Sequence, residues 1–141
     1  MRSHRSIAPV LIALAALALL ACGDDGEEPC PEGSDRYAEY QLFFGRSTAD
    51  GNEVSDEQWA AFLADTVTPR FPAGLTVLDA AGQWRDDSGA VQRERSKVLW
   101  ILATPGEETL RLIDEISAEY ERRFNQDSVL RIHGTACASF S

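Results

Sequence analysis

Side chains suited to catalysis or metal binding are scarce in this chain. Its 141 residues include three Cys and two His, and only one histidine, His133, lies beyond the N-terminal 21 residues. A metal site built on imidazole ligands is therefore not expected. No GxSxG, HExxH, P-loop or Rossmann glycine pattern occurs in the sequence. The sequence identifies no catalytic residue, and we expect no metal and no cofactor.

One pair of side chains, Glu39 and His133, could do acid–base chemistry. Strand side chains alternate between two faces, so Glu39 and Gln41 point outward if the apolar residues of the first predicted strand point inward. The same reasoning in the last predicted strand turns Arg131 and His133 outward. If the strands are neighbours, these residues form a patch suited to acid–base work or to an anion or polar ligand, since the carboxylate raises the imidazole pKa. The alternative, which we favour, is a solvated charge pairing worth a few tenths of a kcal/mol.

The N-terminal segment predicts export and lipid attachment. Residues 7–21 form an apolar run after two arginines. It is shorter than the roughly 20 residues of a spanning helix and is typical of a signal peptide. Its end, Leu-Leu-Ala-Cys, resembles the bacterial lipobox. We therefore predict a lipoprotein signal peptide at 1–21 and a palmitate-type acyl anchor on Cys22. Because Gly23 rather than Asp follows, the location is the outer membrane if the host is Gram-negative.

Charge separates a tether from a single domain. Residues 22–35 carry six acids and no base, with Gly and Pro scattered among them, which predicts an acidic flexible tether. Residues 36–141 form the domain, with 11 basic and 17 acidic residues for a net charge of −6. That balance argues against a nucleic-acid partner.

The hydrophobic pattern predicts the order β-α-β-β-α-β. The expected elements are strands at 37–46, 74–85, 91–104 and within 127–140, and helices that begin at 55 and 107. Ser55 and Gln58 form a capping-box pattern, Gly82 suggests a bulge, and Leu110 belongs to the apolar line of the second helix. This order predicts a ferredoxin-like α+β sandwich, with a four-stranded antiparallel sheet in order 4-1-3-2 and both helices on one face. A different strand order is the main alternative.

Two cysteines test this topology. In the predicted sheet the first and last strands are antiparallel neighbours, so the start of one lies beside the end of the other. Cys30 precedes the first strand and Cys137 lies near the end of the last. Since an exported compartment is oxidising, we predict a structural disulfide between them. No CxxC spacing favours a redox-active pair.

The third strand predicts that the other face of the sheet is also covered. Residues 98–102 are apolar without alternation, as in a strand buried on both faces, yet the helices cover only one face. A second copy, a loop, the C-terminal tail or a ligand could cover the other. A homodimer through the open face is the leading interpretation. The alternative is a central strand that leaves Trp100 exposed.

Several segments of the chain occur together in one known family. They are YQLFFGR at 40–46, VTPRFPAGLT at 67–76, GQW at 82–84, ERSKV at 94–98 and the Tyr, Phe, Gln, Ser and Val positions within 120–129. Together they resemble a bacterial family called domain of unknown function 3574, over residues 37–140. That family has no established activity, so the resemblance implies a small exported or lipid-anchored domain and no catalytic residue.

Two functions remain open. The first is a non-enzymatic envelope lipoprotein that acts as a binding or interaction module, as the lipobox, the acidic tether and the lack of a catalytic motif indicate. The second is a small dimeric ferredoxin-like enzyme that uses the Glu39–His133 patch on the open face. We favour the first.

Overall fold

The computed structural model describes residues 28–140. The predicted signal peptide, Cys22 and the tether up to residue 27 lie outside the described residues. Within the described range, no helix is long and apolar enough to cross a membrane. The structure thus covers the end of the predicted tether and all but the last residue of the predicted domain.

Strands and helices follow one another in the predicted order. They are β1 (Asp35–Gly45), α1 (Asp56–Phe62) continued by a π-helical turn (Leu63–Val67), β2 (Thr76–Arg85), β3 (Val91–Ala103), α2 (Glu107–Phe124) and β4 (Leu130–Ala138). The sheet is antiparallel, with strand order β2-β3-β1-β4. Read from the other edge, this is the predicted order 4-1-3-2, which confirms the ferredoxin-like α+β fold.

Local chemistry sets the start of α1. Ser55 Oγ accepts a hydrogen bond from the Gln58 backbone N–H at 3.2 Å, and Gln58 Oε1 accepts one from the Ser55 N–H at 2.8 Å, so the predicted capping box is present. Beyond Phe62 the helix widens into the π turn, which keeps Phe62, Thr66 and Val67 buried. The sequence does not distinguish this wider turn from an α-helix, because the spacing of these residues fits both.

Arg70 holds the tight turn that follows. Its Nη1 donates to the Thr66 carbonyl at 2.6 Å, and its Nε donates to Glu115 of α2 at 3.1 Å. Phe71 is buried in the core, and Gly74 has a φ of 135°, which favours glycine. All described peptide bonds are trans. The VTPRFPAGLT segment at 67–76 is therefore a structural link between the first helix and β2.

Aromatic side chains between the helices and the sheet form the centre of the core. The ring of Tyr120 has its centroid 4.7 Å from that of Phe44 and 4.8 Å from that of Phe124. Its hydroxyl donates to the Gly45 carbonyl at 2.8 Å. Burial raises the pKa of Tyr120 above its usual range, so the hydroxyl stays a donor and ties α2 to the end of β1.

Two details differ from expectation. Gly82 marks no bulge, because the β2–β3 pairing continues through the Gly82–Glu94 pair without interruption. Leu110 lies outside the core and is exposed. Thr109 takes the buried position instead, where its hydroxyl donates to the Thr104 carbonyl at 2.7 Å. A polar side chain is tolerated there because its hydrogen bond is satisfied.

The hairpin of β2 and β3 is longer than the rest of the sheet. β1 pairs only with the second half of β3, so residues 81–85 and 91–95 project past the end of β1. At the turn, Asp86 accepts hydrogen bonds from the Ser88 hydroxyl and the Gln92 amide, both at 2.6 Å. These bonds favour the charged carboxylate and hold the pKa of Asp86 below its usual range.

Cys30 and Cys137 form the predicted disulfide, with their Cα atoms 5.5 Å apart. Cys137 lies opposite Arg36 of β1, so the bond fastens the segment before β1 to the far end of β4. The two cysteines are 107 residues apart in sequence. In the chain-entropy model, a closed loop of this length stabilises the fold by roughly 4–5 kcal/mol.

Removing this bond is expected to destabilise the domain strongly. In a Cys30→Ala/Cys137→Ala variant, the free energy of unfolding should fall by about 4–5 kcal/mol, because the unfolded chain regains the entropy of an open loop. Urea unfolding of the oxidised wild type and the variant measures the difference. The wild type in reductant is the matched control, since it loses the bond without a change of residue. A loss below about 1 kcal/mol in both would contradict this account.

Candidate functional site

The pairing of β1 with β4 decides where the predicted patch residues lie. Paired residues point to the same side of the sheet, and Tyr40, which is buried beneath the helices, pairs with His133. His133 and Arg131 therefore lie on the helix side, whereas Glu39 and Gln41 lie on the open side. The prediction that these residues share one patch is wrong, and the predicted acid–base pair does not form.

Two apolar residues of β4 explain the error. Leu130 and Ile132 are expected to point inward because they are apolar, but they pair with open-side residues of β1 and are 59% and 48% exposed. β4 is an edge strand, and its helix side lies close to the surface. Arg131 there forms an ion pair with Asp114 of α2. Hydrophobicity alone therefore does not set the facing of this strand.

Apolar side chains form two adjacent rows on the open side of the sheet. We call these six residues the apolar face: Leu78, Val98, Phe43 and Leu130 in a row across all four strands, and Trp100 and Ile132 in the next row. Four of them are between 44% and 59% exposed. Val98 is buried although it lies outside the core beneath the helices. The sheet thus carries apolar surface on the side that its own helices do not cover.

The apolar run in β3 divides between the two sides. Leu99 and Ile101 face the helices and are fully buried. Val98, Trp100 and Leu102 face the open side, where Trp100 is 44% exposed. The apolar run in β3 therefore contributes to two surfaces, one on each side of the sheet. That another molecule or segment covers the open side stays a prediction.

Charged residues of the strands are divided unevenly between the two sides. By the alternation of side chains, the lysine and arginines of these strands lie on the helix side: Arg36, Arg85, Arg93, Arg95, Lys97 and Arg131. The open side has carboxylates only, at Asp35, Glu39 and Glu94, which flank the apolar face. The two rows of the apolar face carry no charge, although the solvated side of an antiparallel sheet is usually polar. Glu39 lies in the next row, on the central strand β1, opposite Leu102 and Gly134.

Two glycines on the open side have no evident role within their own chain. Gly82 and Gly134 lie in regular strand pairing, and a Cβ at either position would meet no atom within 4 Å. Glycine inside a strand costs roughly 0.5–1 kcal/mol relative to alanine, and it often marks the close approach of a ligand or another backbone. Beside Gly134, a depression of about 80 Å³ is bordered by Glu39, Gln41, Ile132 and His133. The side chain of His133 itself points to the helix side, where its ring centroid lies 6.5 Å from that of Tyr40.

A groove of about 390 Å³ lies on the helix side, between the π turn and α2. Its arginines are already paired, Arg70 with Glu115 at 3.1 Å and Arg122 with Glu119 at 2.6 Å. The groove is therefore a surface of matched ion pairs rather than a site of one charge. Among residues 28–140, no group of three or more His, Cys, Asp or Glu side chains could hold a metal ion.

A buried guanidinium, that of Arg46, fastens the loop after β1. The side chain is 3% exposed, and its Nε donates to the Val54 carbonyl at 2.8 Å. Its Nη1 lies 2.9 Å from Asp56 Oδ1, an ionic contact without hydrogen-bond geometry, and its Nε lies 3.2 Å from Glu53 Oε1. Each of these contacts holds the loop to the sheet, so Arg46 has a structural role.

Replacing Arg46 is expected to cost more than replacing a neighbouring arginine with the same partner. Arg46→Met should lower the free energy of unfolding by about 1–3 kcal/mol, because the Val54 carbonyl loses its charged donor. Arg95→Met is the control: Arg95 pairs with the same Glu53 at 3.1 Å but is 61% exposed, so its loss should cost under about 1 kcal/mol. Urea unfolding compares the two, and equal losses would contradict the structural role of Arg46.

The order of the elements and the one-sided packing of the helices define a ferredoxin-like α+β domain with an uncovered sheet face. The chain belongs to the family described as "Protein of unknown function (DUF3574)", whose sequence profile matches residues 39–140. This confirms the family resemblance seen in the sequence segments.

Solved structures with the same fold include two of a phage SAM lyase. The complex with S-methyl-5'-thioadenosine has a TM-score of 0.54 and 16% sequence identity, and the match covers 80% of this chain and 95% of that one. The apo form has a TM-score of 0.53 and 16% identity, and the match covers 77% and 94%. At this identity the likeness shows the fold alone. No curated protein matches the chain in sequence.

Proposed function

We propose that this protein is a lipid-anchored protein of the bacterial envelope and that its folded domain is a non-enzymatic interaction module. The observation that carries the proposal is the apolar face, which lies on the side of the sheet that the helices leave open. Contiguous apolar patches on a protein surface mark interaction sites. Covering its four half-exposed side chains would contribute about 1 kcal/mol each, roughly half the value for full burial.

Export and lipid attachment are supported by the sequence and by the disulfide. Cys22 directly ends the apolar run of the signal peptide. Acyl chains contribute about 0.8 kcal/mol per buried CH₂, so two or three chains anchor a protein stably. The Cys30–Cys137 disulfide suits an oxidising compartment outside the cytoplasm. Together these features favour a domain held at a membrane surface.

The alternative, a small enzyme, has lost the pair of residues that motivated it. Glu39 and His133 lie on opposite sides of the sheet, and Glu39 accepts a hydrogen bond from Gln41 at 3.3 Å. The ligand in the SAM lyase complex belongs to that protein, and a shared fold does not imply shared chemistry. The interaction module is therefore the function that we propose.

Lipid attachment predicts a specific effect of replacing Cys22. In a Cys22→Ala variant of the full chain, incorporation of a labelled fatty acid should be lost and the protein should leave the membrane fraction. The residue that carries the lipid is then gone, and the two remaining cysteines, Cys30 and Cys137, are bonded to each other. Metabolic labelling and fractionation measure both. The Cys30→Ala/Cys137→Ala variant is the matched control and should keep the label. Equal labelling of wild type and Cys22→Ala would rule out this anchor.

If the open side is an interaction surface, a partner should shield it from alkylating reagents in the envelope. A thiol placed at Gln41, in the middle of the open side, should be alkylated several-fold more slowly in the intact envelope than in the purified, diluted protein. Ala118→Cys is the control, because Ala118 is exposed on α2 of the helix side and should react equally in both. Wild type sets the background, with Cys30 and Cys137 bonded to each other. The ratio of the alkylation rate in the purified protein to that in the envelope is compared between positions 41 and 118. Equal ratios would contradict an interaction through the open side.

A further inference from the structure

The size of the open side matches what one partner of a protein–protein interface presents. Its four strands contain 11, 10, 13 and 9 residues. With strands about 4.8 Å apart and a rise of about 3.3 Å per residue, the face covers about 700 Å². Stable interfaces bury about 800 Å² per partner. The whole face, rather than a pocket within it, therefore has the extent of an interface for one other protein.

The uncharged rows of the apolar face can pack against the same rows of a second copy, whereas the carboxylates beside them disfavour an anionic lipid surface. The apolar face carries no charge, and the charged groups around it are the carboxylates of Asp35, Glu39 and Glu94. An anionic lipid surface would be repelled by these groups, and the open side offers no cation to attract it. An uncharged apolar centre is complementary to itself, as a two-fold symmetric interface requires.

The open-side glycines allow another backbone to approach closely. At Gly82 and Gly134 the space that a Cβ would occupy is empty within the chain. Two sheets that pack face to face lie about 10 Å apart, and their side chains interdigitate between them. Missing side chains at two positions leave room for the large residues of a facing sheet, such as Trp100, which is 44% exposed.

We propose that a second copy of this chain covers the apolar face, so that two sheets pack against each other in a symmetric dimer. This inference rests on the proposed function, which requires only that the face is covered. It adds the identity of the partner. The helices of both copies then lie on the outside of the dimer. Glu39 and Glu94 lie opposite Gly134 and Gly82, so their carboxylates border the covered rows of the apolar face and must keep contact with water there.

A cross-linking experiment on the full chain in the intact envelope tests this dimer. Gln41→Cys is treated with a thiol cross-linker that spans about 10 Å, the separation of packed sheets. The expected product has twice the mass of the chain and contains only this protein. Ala118→Cys, on the helix side, should give no such product, which excludes chance collision between crowded copies.

Second substitutions in the Gln41→Cys chain locate the interface. Ile132→Arg places a charge on the apolar face and should reduce the product several-fold. Leu110→Arg is the matched control, because Leu110 is 49% exposed and Ile132 is 48% exposed, and it should leave the product unchanged. Gly134→Val should also reduce the product, whereas the thermal stability of the purified chain should not fall, since a Cβ at this position meets no atom of its own chain within 4 Å.

The possible outcomes separate this inference from the proposed function. A product of two copies that is lost in Ile132→Arg and Gly134→Val but kept in Leu110→Arg supports the dimer. A second outcome is protection of the Gln41 position from alkylation together with either a product that contains a different protein or no product at all. The proposed dimer is then wrong, and the proposed interaction surface stands. If the position is unprotected and no product forms, both are wrong. A product of two copies that Ile132→Arg leaves unchanged would place the dimer interface elsewhere and overturn the inference.

Discussion

The simultaneous pairing of β1 with β3 and β4 is the constraint on which the rest of the domain depends. The even-numbered residues of β1 face the helices, and among them Leu42 and Phe44 are fully buried. Its odd-numbered residues face the open side, where Phe43 is paired with Val98 on one neighbour and Leu130 on the other. A shift of one residue would exchange the two sides. The register of β1 therefore determines the core and the apolar face together.

The sequence predicts the features whose signals are local and fails where a neighbouring strand decides. The Ser55 capping box and the alternation of β1 are encoded within a few residues, and the Cys30–Cys137 bond follows once the strand order is known. The facing of β4 is different, because Leu130 and Ile132 could join either of two apolar surfaces. Only the pairing with β1 chooses between them, and hydrophobicity within β4 carries no information about that choice.

The separation of charge between the two sides of the sheet has a physical basis. On the helix side, strand cations reach carboxylates from other elements: Lys97 contacts Asp56 near the start of α1 at 3.7 Å, and Arg131 pairs with Asp114 of α2. The open side has no covering element that could supply such partners. A charge placed in its middle would oppose the burial of that surface, since an unpaired charge is costly to remove from water. The two uncharged rows of the apolar face are thus suited to being covered.

The proposed anchor and the apolar face have complementary thermodynamic roles. A face of about 700 Å² lies slightly below the usual area per partner, and association in free solution must also overcome the loss of translational and rotational freedom. Chains attached to one membrane have already lost part of that freedom, and their effective concentration rises without any new contact. A modest apolar face that would pair weakly in dilute solution can therefore hold two anchored copies together. On this reasoning, lipid attachment favours the dimer as well as fixing the location of the domain.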